Sequence, residues 1–507
     1  TIYRFDETVR RDVDCHQPDE SGATARMTWL ERICAVHERS ERAAVIGEVG
    51  SVTGRELIGK AVAAADLLVD LDVRAGQPIP ALLTTNAHAL ALLLGAAAAN
   101  RPLAPLGPRQ TPAELAETVR RTGSSVLLTE AAFAETARQV ADAVGVAAVT
   151  IPFLPASRRP LQLDTGPTAI YLHTAGTTGV PKRVSLTETV LDARAEVLRR
   201  VIGIGPDDRY ATGSPLHHMG GLGNVLVALT AGAAVICTTR FSFDWWRNLK
   251  QLEATHCLLV PTMIEMLLGE GLLAAVPLKT LIYGASPITV GTLQRVLDVL
   301  PNVAMVSLYG QTEGSPITSL SPGDHRLAAV KDPDILYGVG RPVSGLRLQI
   351  EQPDRDGIGE VFAAAAHLSG QAADGWLHTG DLGVVDDNGY LRLCGRRNDM
   401  VIRGGENVYP LEVENVLSTH PTVAAVGVVG VPEARLGETL AAFIVPTDSA
   451  HPPRPEELSS FARVTLAGFK IPQYWYSVAE LPLNSAGKVV RAQLRDSHLK
   501  RHHTGST

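Results

Sequence analysis

The sequence predicts an α/β protein: a large N-terminal region of layered α/β subdomains plus a β-barrel-like unit, then a small α+β C-terminal domain. Three observations predict it. From about residue 25 to 390, short Val/Ile/Leu/Ala runs alternate with amphipathic helical patterns, which argues for mostly parallel sheets covered by helices. Leu346-Arg-Leu-Gln-Ile-Glu, the turn Asp354-Arg-Asp-Gly357 and Gly359-Glu-Val-Phe read as a hairpin, so an antiparallel β unit ends the large region. Gly389-Tyr-Leu-Arg-Leu-Cys-Gly-Arg-Arg-Asn-Asp-Met400 then reads as a strand running into a polar turn, with about a hundred residues beyond it, enough for a separate small unit. The expected boundaries are 1–395 for the large domain, 396–400 for a hinge and 401–507 for the small domain.

The individual elements follow in order. The longest apolar stretch, Ile79 to Ala99, contains Asn86 and His88 and breaks at Asn100-Arg-Pro, so it reads as a buried strand followed by a core helix rather than a membrane span. Ser125-Val-Leu-Leu-Thr, Ala233-Ala-Val-Ile-Cys and His256-Cys-Leu-Leu-Val are strands, each flanked by an amphipathic segment. Asp244 is expected to cap a helix ahead of Trp245. The tail after about Leu499 is expected to be disordered.

Composition narrows the function classes. The 507 residues suffice for two to four domains, and 45% hydrophobic with 20% charged residues is ordinary for a globular protein. A net charge of −7 speaks against a broad nucleic-acid footprint, so any anionic ligand must be held by a local cluster of donors. Cys15, Cys34, Cys237, Cys257 and Cys394 are scattered without a CxxC pair, which argues against a disulfide framework or a zinc site and for a reducing, cytoplasmic location. The start, Thr1-Ile-Tyr-Arg-Phe-Asp, has no apolar signal core.

The most informative segment is Tyr171-Leu-His-Thr-Ala-Gly-Thr-Thr-Gly-Val-Pro-Lys182. Ile170 and Leu172 belong to a short apolar run that reads as a buried strand, and the Gly/Thr loop after it can turn N–H groups, hydroxyls and an ammonium toward a phosphate cluster. Its glycine spacing is not that of the GxxxxGK[ST] loop. Taken alone it could be a plain turn; six further segments complete the pattern. They are Pro215-Leu-His-His218, Tyr309-Gly-Gln-Thr-Glu313, Gly375-Trp-Leu-His-Thr-Gly-Asp381, Gly395-Arg396, Gly404-Gly-Glu-Asn-Val-Tyr-Pro410 and Leu481-Pro-Leu-Asn-Ser-Ala-Gly-Lys488.

Together these resemble the adenylate-forming superfamily of acyl-CoA synthetases, nonribosomal-peptide adenylation domains and luciferases, over about residues 25 to 496. The resemblance implies an AMP-forming acid–thiol ligase. A carboxylate attacks the α-phosphate of ATP, pyrophosphate leaves, and a thiol displaces AMP from the acyl-AMP. Bringing a carboxylate to a polyphosphate demands cations and oriented N–H groups. By resemblance Thr174, Ala175, Gly176, Thr177, Thr178, Gly179 and Lys182 form the phosphate loop, and Glu313 binds Mg²⁺. Thr312 contacts the α-phosphate, Tyr309 gives a face for adenine beside Gly310 and Gln311, and Gly284-Ala285-Ser286 lines the adenine and acyl pockets. Asp381 accepts the ribose hydroxyls with Arg396 as partner; Lys488 swings in for adenylation, with Arg491 and Leu494 continuing that pattern; Gly404-Gly405 borders the thiol tunnel. Asn398 stands at the pivot, where the family commonly has Asp or Lys.

Two departures fall on the phosphate loop. Ala175 replaces a serine and Arg183 a glycine; His173 is a milder change. A hydroxyl bond to a charged phosphate is worth about 1.5–3 kcal/mol, roughly ten- to a hundredfold in rate. Arg183 could bind phosphate or occupy the pyrophosphate space. One expectation is therefore impaired adenylation, with a preformed acyl-AMP supplied by a separate adenylating enzyme.

The acid is expected to lack an α-ammonium, since His217-His-Met-Gly-Gly-Leu-Gly-Asn224 carries no acidic partner for one. Met219, Leu222, Val225, Tyr283 and Leu308 give an apolar lining, His217 gates it, and Gly220, Gly221 and Gly223 leave room for a bulky aromatic or polycyclic acid. His218 is a gating residue near the carboxylate or a plain helix-start histidine. The chain ends soon after Lys488 with no appended carrier domain, so coenzyme A is the expected thiol and a separate carrier protein the alternative; no basic groove for the 3′-phosphate of coenzyme A is evident. A catalytically dead acyl-AMP-binding protein is the competing class, against which Lys488, Glu313 and Asp381 together count.

Overall fold

The computed structural model describes residues 2–3, 27–48, 50–71, 73–174, 182–483 and 489–503. Ala175, Gly176, Thr177, Thr178, Gly179 and Lys488 lie outside the described residues.

Two sheets build the large region. One has six strands: Ala147–Thr150, Val126–Thr129, Ile79–Leu82, Leu103–Leu106 and Thr168–Thr174 run parallel, and Lys182–Thr187 closes the edge antiparallel. The other has seven, with Ala304–Leu308, Thr280–Gly284, His256–Leu259, Arg209–Thr212, Ala234–Cys237 and Ala43–Gly47 parallel and Gly50–Thr53 antiparallel at the edge. Near-continuous apolar runs of this kind are what a sheet covered on both faces requires.

Strand alternation divides the seven-stranded sheet's side chains between two cores. Leu258, Ile282, Val306 and Leu308 face inward to a core shared with the six-stranded sheet, where Ile79, Ala81, Leu128, Ile170 and Leu172 lie. Helices Gly54–Asp70, Ala87–Ala98, Glu188–Ile202 and Met219–Thr230 fill the space between. Gly95 permits a close approach there, because a Cβ on it would stand 2.3 Å from the Ala61 carbonyl oxygen. Leu281, Tyr283 and Met305 face outward, under helices such as Val290–Val299.

A five-stranded antiparallel sheet follows the parallel ones, in the order Ile2–Tyr3, Arg347–Glu351, Gly359–Ala364, Leu377–Val385, Leu391–Arg396. It packs Leu348, Val361, Leu377 and Leu391 against Ile317. Beyond residue 400 all strands belong to one further sheet: Val401–Arg403, Glu406–Val408, Val423–Glu433, Gly437–Pro446 and Tyr474–Ser477. Helices Pro410–Leu417 and Pro455–Ala462 cover one face and helix Arg491–His503 the other.

Two expectations need correction. Lys500–His503 are helical rather than disordered, because helix Arg491–His503 is anchored by buried Leu494 and by a 2.8 Å hydrogen bond between the Tyr476 hydroxyl and His498 Nδ1. Asp244 is not the cap of its helix; Ser242 Oγ accepts the Trp245 N–H, and Asp244 sits in the first turn, paired with Arg247. The four described cysteines are free. No helix among the described residues is long and apolar enough to cross a membrane.

Candidate functional site

Strand Ala304–Leu308 ends at Tyr309, and the chain turns sharply through Gly310–Gly314. Gln311 and Gly314 exchange main-chain hydrogen bonds of 2.6 and 3.0 Å, which makes this turn tight. A Cβ on Gly310 would lie 2.4 Å from the Gly314 carbonyl oxygen, so residue 310 must be glycine. One turn thereby presents Tyr309, half-buried Thr312 and the buried carboxylate of Glu313.

At the Tyr309 end the partner is Asp381, buried in strand Leu377–Val385. The Tyr309 hydroxyl donates to Asp381 Oδ2 at 2.7 Å, and Arg396 Nε meets Oδ1 at 2.8 Å. Asp381 and Arg396 are direct register partners in the antiparallel sheet, so the ladder itself sets their approach. Burial, with Asp381 beside it, holds the Tyr309 phenol well above its usual pKa, so it remains the donor. Gln311 Nε2 ties the turn to the same strand through the Thr379 carbonyl, at 3.3 Å.

At the other end, Lys182 Nζ lies 3.1 Å from Glu313 Oε1. Thr174 pairs with Lys182 across the antiparallel ladder, so these two residues bracket the Gly/Thr loop. Arg183 faces away from Lys182, as adjacent strand residues must. It lies over the Tyr171 ring, 5.0 Å from its centroid. His173 shares that face; burial, then Arg183, pushes its pKa down to about 4.

Gly284 and Ala285 lie at the end of strand Thr280–Gly284. A Cβ on Gly284 would be 2.3 Å from the Leu308 carbonyl oxygen, and Ala285 is held at φ +69°, a conformation that costs a non-glycine residue energy and is kept only where surroundings impose it. Ser286 Oγ beside it is buried with no hydrogen-bond partner among the described residues.

His217 and His218 lie with ring centroids 4.1 Å apart and planes tilted by 47° ahead of helix Met219–Thr230. Burial, then His218 and Arg109, pushes the His217 pKa down to about 3, so its ring is neutral. Met219 and Leu308 share the inner core with Leu258. Tyr283 does not join them. It packs on the outer face of the sheet, with its hydroxyl 2.8 Å from His325 Nε2, because it is one residue out of phase with Ile282. Gly221 does not leave room for a ligand either: a Cβ there would stand 2.3 Å from the Pro215 carbonyl oxygen. Gly220 is open, with Leu258 the nearest side chain at 3.8 Å.

The remaining sites lie toward the small unit. Asn398 is exposed in the single turn Arg397–Asp399; Arg397 pairs with Glu360 at 2.8 Å, and Asp399 with Arg491 at 3.4 Å. Gly404 and Gly405 have φ of +61° and +91° and form the two-residue connection between Val401–Arg403 and Glu406–Val408, a hairpin that demands glycine-like backbone.

Sequence reasoning missed Arg194, which is 1% exposed and donates from Nη2 to the Glu313 carbonyl oxygen at 3.3 Å. The signal was present: with Val190, Leu191, Ala195, Leu198 and Ile202 it lies on the apolar stripe of helix Glu188–Ile202, where a charge is out of place.

One turn thus joins the Tyr309–Asp381–Arg396 cluster to the Glu313–Lys182 pair. Residues 32–369 match the model of the AMP-binding enzyme family and residues 412–488 that of the AMP-binding enzyme C-terminal domain. The chain belongs to this family. It is 31% identical over 487 residues to the fatty acid–[acyl-carrier-protein] ligase ScoC of Streptomyces coeruleorubidus, covering 89% of this chain and 93% of that one. Among solved structures, the amide bond synthetase McbA from Marinactinospora thermotolerans superposes with a TM-score of 0.84 at 26% identity, covering 93% of this chain and 100% of that one. The o-succinylbenzoate-CoA synthetase MenE from Bacillus subtilis, bound to its acyl-adenylate, gives 0.80 at 28% identity over 93% and 98%.

Proposed function

We propose that this enzyme converts an apolar, bulky aromatic or polycyclic carboxylic acid to its acyl-AMP and passes the acyl group to the thiol of coenzyme A. The observation that carries this reading is the single turn Tyr309–Glu313, which aims one end at a carboxylate suited to a ribose diol and the other at a carboxylate–ammonium pair suited to phosphates.

In this reading Asp381 accepts the ribose hydroxyls, held by Tyr309 and Arg396, and Lys182 carries charge to the phosphates. The described residues contain no cluster of three or more His, Cys, Asp or Glu that could hold a metal by themselves. Glu313, one buried carboxylate facing the phosphate end, fits Mg²⁺, which takes few protein ligands and completes its shell with phosphate oxygens and water. Mg²⁺ bound there would neutralise phosphate charge. Neutral His217, with Met219, Gly220 and Leu308, would border the acid, and the lack of an acidic partner disfavours amino acids. Domains 1–395 and 401–507 would pivot at 396–400, with Asn398 between one ion pair to Glu360 and another to Arg491, bringing Lys488 or Gly404-Gly405 to the site in turn.

Both half-reactions are included; impaired adenylation, with Ala175 and Arg183 as its grounds, is the alternative that the acyl-AMP arm of the test addresses. A carrier protein as acceptor is the second reading, favoured by the similarity to ScoC. The test offers a panel of aromatic, polycyclic and aliphatic acids with ATP, and the corresponding acyl-AMPs without it, to coenzyme A and to a phosphopantetheinylated carrier. Pyrophosphate release and thioester formation with aromatic acids are expected. Thioester formation from acyl-AMP alone would show a thioesterification-only enzyme, and neither activity would refute the assignment.

A further inference from the structure

We infer that Arg194 is a positioning residue that locks the Glu313 turn to the strand carrying Lys182, and so sets where the Glu313 carboxylate meets a metal–phosphate group. The inference rests on the reading of Glu313 given above.

The segment that leads from Lys182 into helix Glu188–Ile202 grips Glu313 at both ends. Lys182 Nζ meets the carboxylate at 3.1 Å, and Arg194 Nη2 donates to the main-chain carbonyl at 3.3 Å. The same carbonyl also accepts the Ser369 N–H at 2.7 Å and the Ser369 hydroxyl at 2.9 Å. Arg194 Nε and Nη2 further donate to the His367 carbonyl, at 3.3 and 3.0 Å, while His367 Nε2 lies 2.7 Å from the Pro316 carbonyl oxygen. The guanidinium thus bridges helix Glu188–Ile202, the 313–316 turn and the 367–369 segment.

The chemistry of this contact is unusual. A guanidinium withdrawn from water normally pays its desolvation with a carboxylate partner. Arg194 hydrogen-bonds instead to two carbonyl oxygens and, through Nη1, to the Met219 thioether sulfur at 3.1 Å, while the Glu313 carboxylate acts on it through charge. Five fixed donors in one plane suit such bridging of main-chain oxygens, and a lysine ammonium could reach only part of the set. Gly314 lets the turn lie close against strand Leu377–Val385, since a Cβ there would come within 2.5 Å of Leu377 Cδ2. Arg194 and Lys182 together tie the turn to the segment 182–194, one through the Glu313 main chain and the other through its carboxylate.

The test compares nucleotide binding by the full-length wild type with Arg194→Met, Arg194→Lys and Ser369→Ala. Calorimetry measures AMP without metal and ATP with Mn²⁺, and paramagnetic resonance counts bound Mn²⁺. Arg194→Met is expected to weaken Mn²⁺–ATP at least tenfold while AMP stays within twofold, and Arg194→Lys and Ser369→Ala to weaken Mn²⁺–ATP two- to fivefold in the same pattern. Should Arg194→Met fail to fold, the other two variants decide alone. Equal weakening of AMP and Mn²⁺–ATP, or unchanged binding of both, would overturn the inference by making Arg194 a general packing residue or an inert one. Wild-type protein that binds AMP but gains nothing from Mn²⁺ would overturn it differently, by removing the metal role of Glu313 itself.

Discussion

Asp381→Asn isolates the nucleotide end of the site. The native carboxylate accepts two charge-assisted bonds, from Tyr309 at 2.7 Å and Arg396 at 2.8 Å, and keeps lone pairs for a vicinal diol. An asparagine of the same shape offers one acceptor oxygen and one amide donor. The oxygen must face Arg396, since an N–H pointing at a guanidinium is repulsive; the amide then donates to the Tyr309 oxygen and cannot accept from ribose. One hydrogen bond to a charged acceptor is lost, worth about 1.5–3 kcal/mol, or roughly ten- to 150-fold in affinity at about 1.4 kcal/mol per decade. The fold should tolerate the change, because Arg396 is half exposed and its pair is screened by solvent. AMP binding by calorimetry, with a melting curve to establish folding, is the assay. AMP affinity within twofold of wild type in a folded variant would refute the assignment of Asp381 to the ribose.

Three further outcomes are expected. Gly221→Ala places a methyl 2.3 Å from the Pro215 carbonyl and should destabilise by about 1–3 kcal/mol in denaturant melts, displacing the His217–His218 pair. Burial holds His367 near pKa 4, below the 6.5 of the unfolded chain, so the unfolded state binds more protons between those values. Its contribution is complete above pH 6.5 and is lost as pH falls toward 4, about 3 kcal/mol at most, so the stability gap between pH 7.5 and 4.5 should narrow in His367→Gln. Asn398→Pro should stiffen the Arg397–Asp399 turn, leaving pyrophosphate release largely intact while slowing thioester formation at least tenfold; equal loss of both would argue against a pivot there.

Much of this was legible in the chain. Parallel strands covered on both faces write themselves as apolar runs, so the strands beginning near 126, 234 and 256 fell within a residue of expectation. Tyr309 and Glu313 share one tight turn and face its two ends. Facing was harder to read. Tyr283 and Leu308 are equally apolar runs' ends, and only the pairing register puts them on opposite faces of the sheet. Nor does a glycine say which neighbour requires it: Gly220 leaves space, while the space beside Gly221 is taken by Pro215. Arg183 was ambiguous as a charge in a phosphate loop until the strand Lys182–Thr187 fixed its phase. Ser369 gave no signal, since its two bonds to one carbonyl depend on contacts 56 residues apart.

The helices shared between the parallel sheets bear on how this enzyme can be cut for study. Because Ile170 and Leu172 on one side and Ile282 and Val306 on the other border the same interior, severing the chain between the sheets would leave each fragment with a greasy wall and no cover. Such halves should aggregate when expressed singly and recover only when made together, whereas a cut near residue 400 separates two pieces that each own an interior.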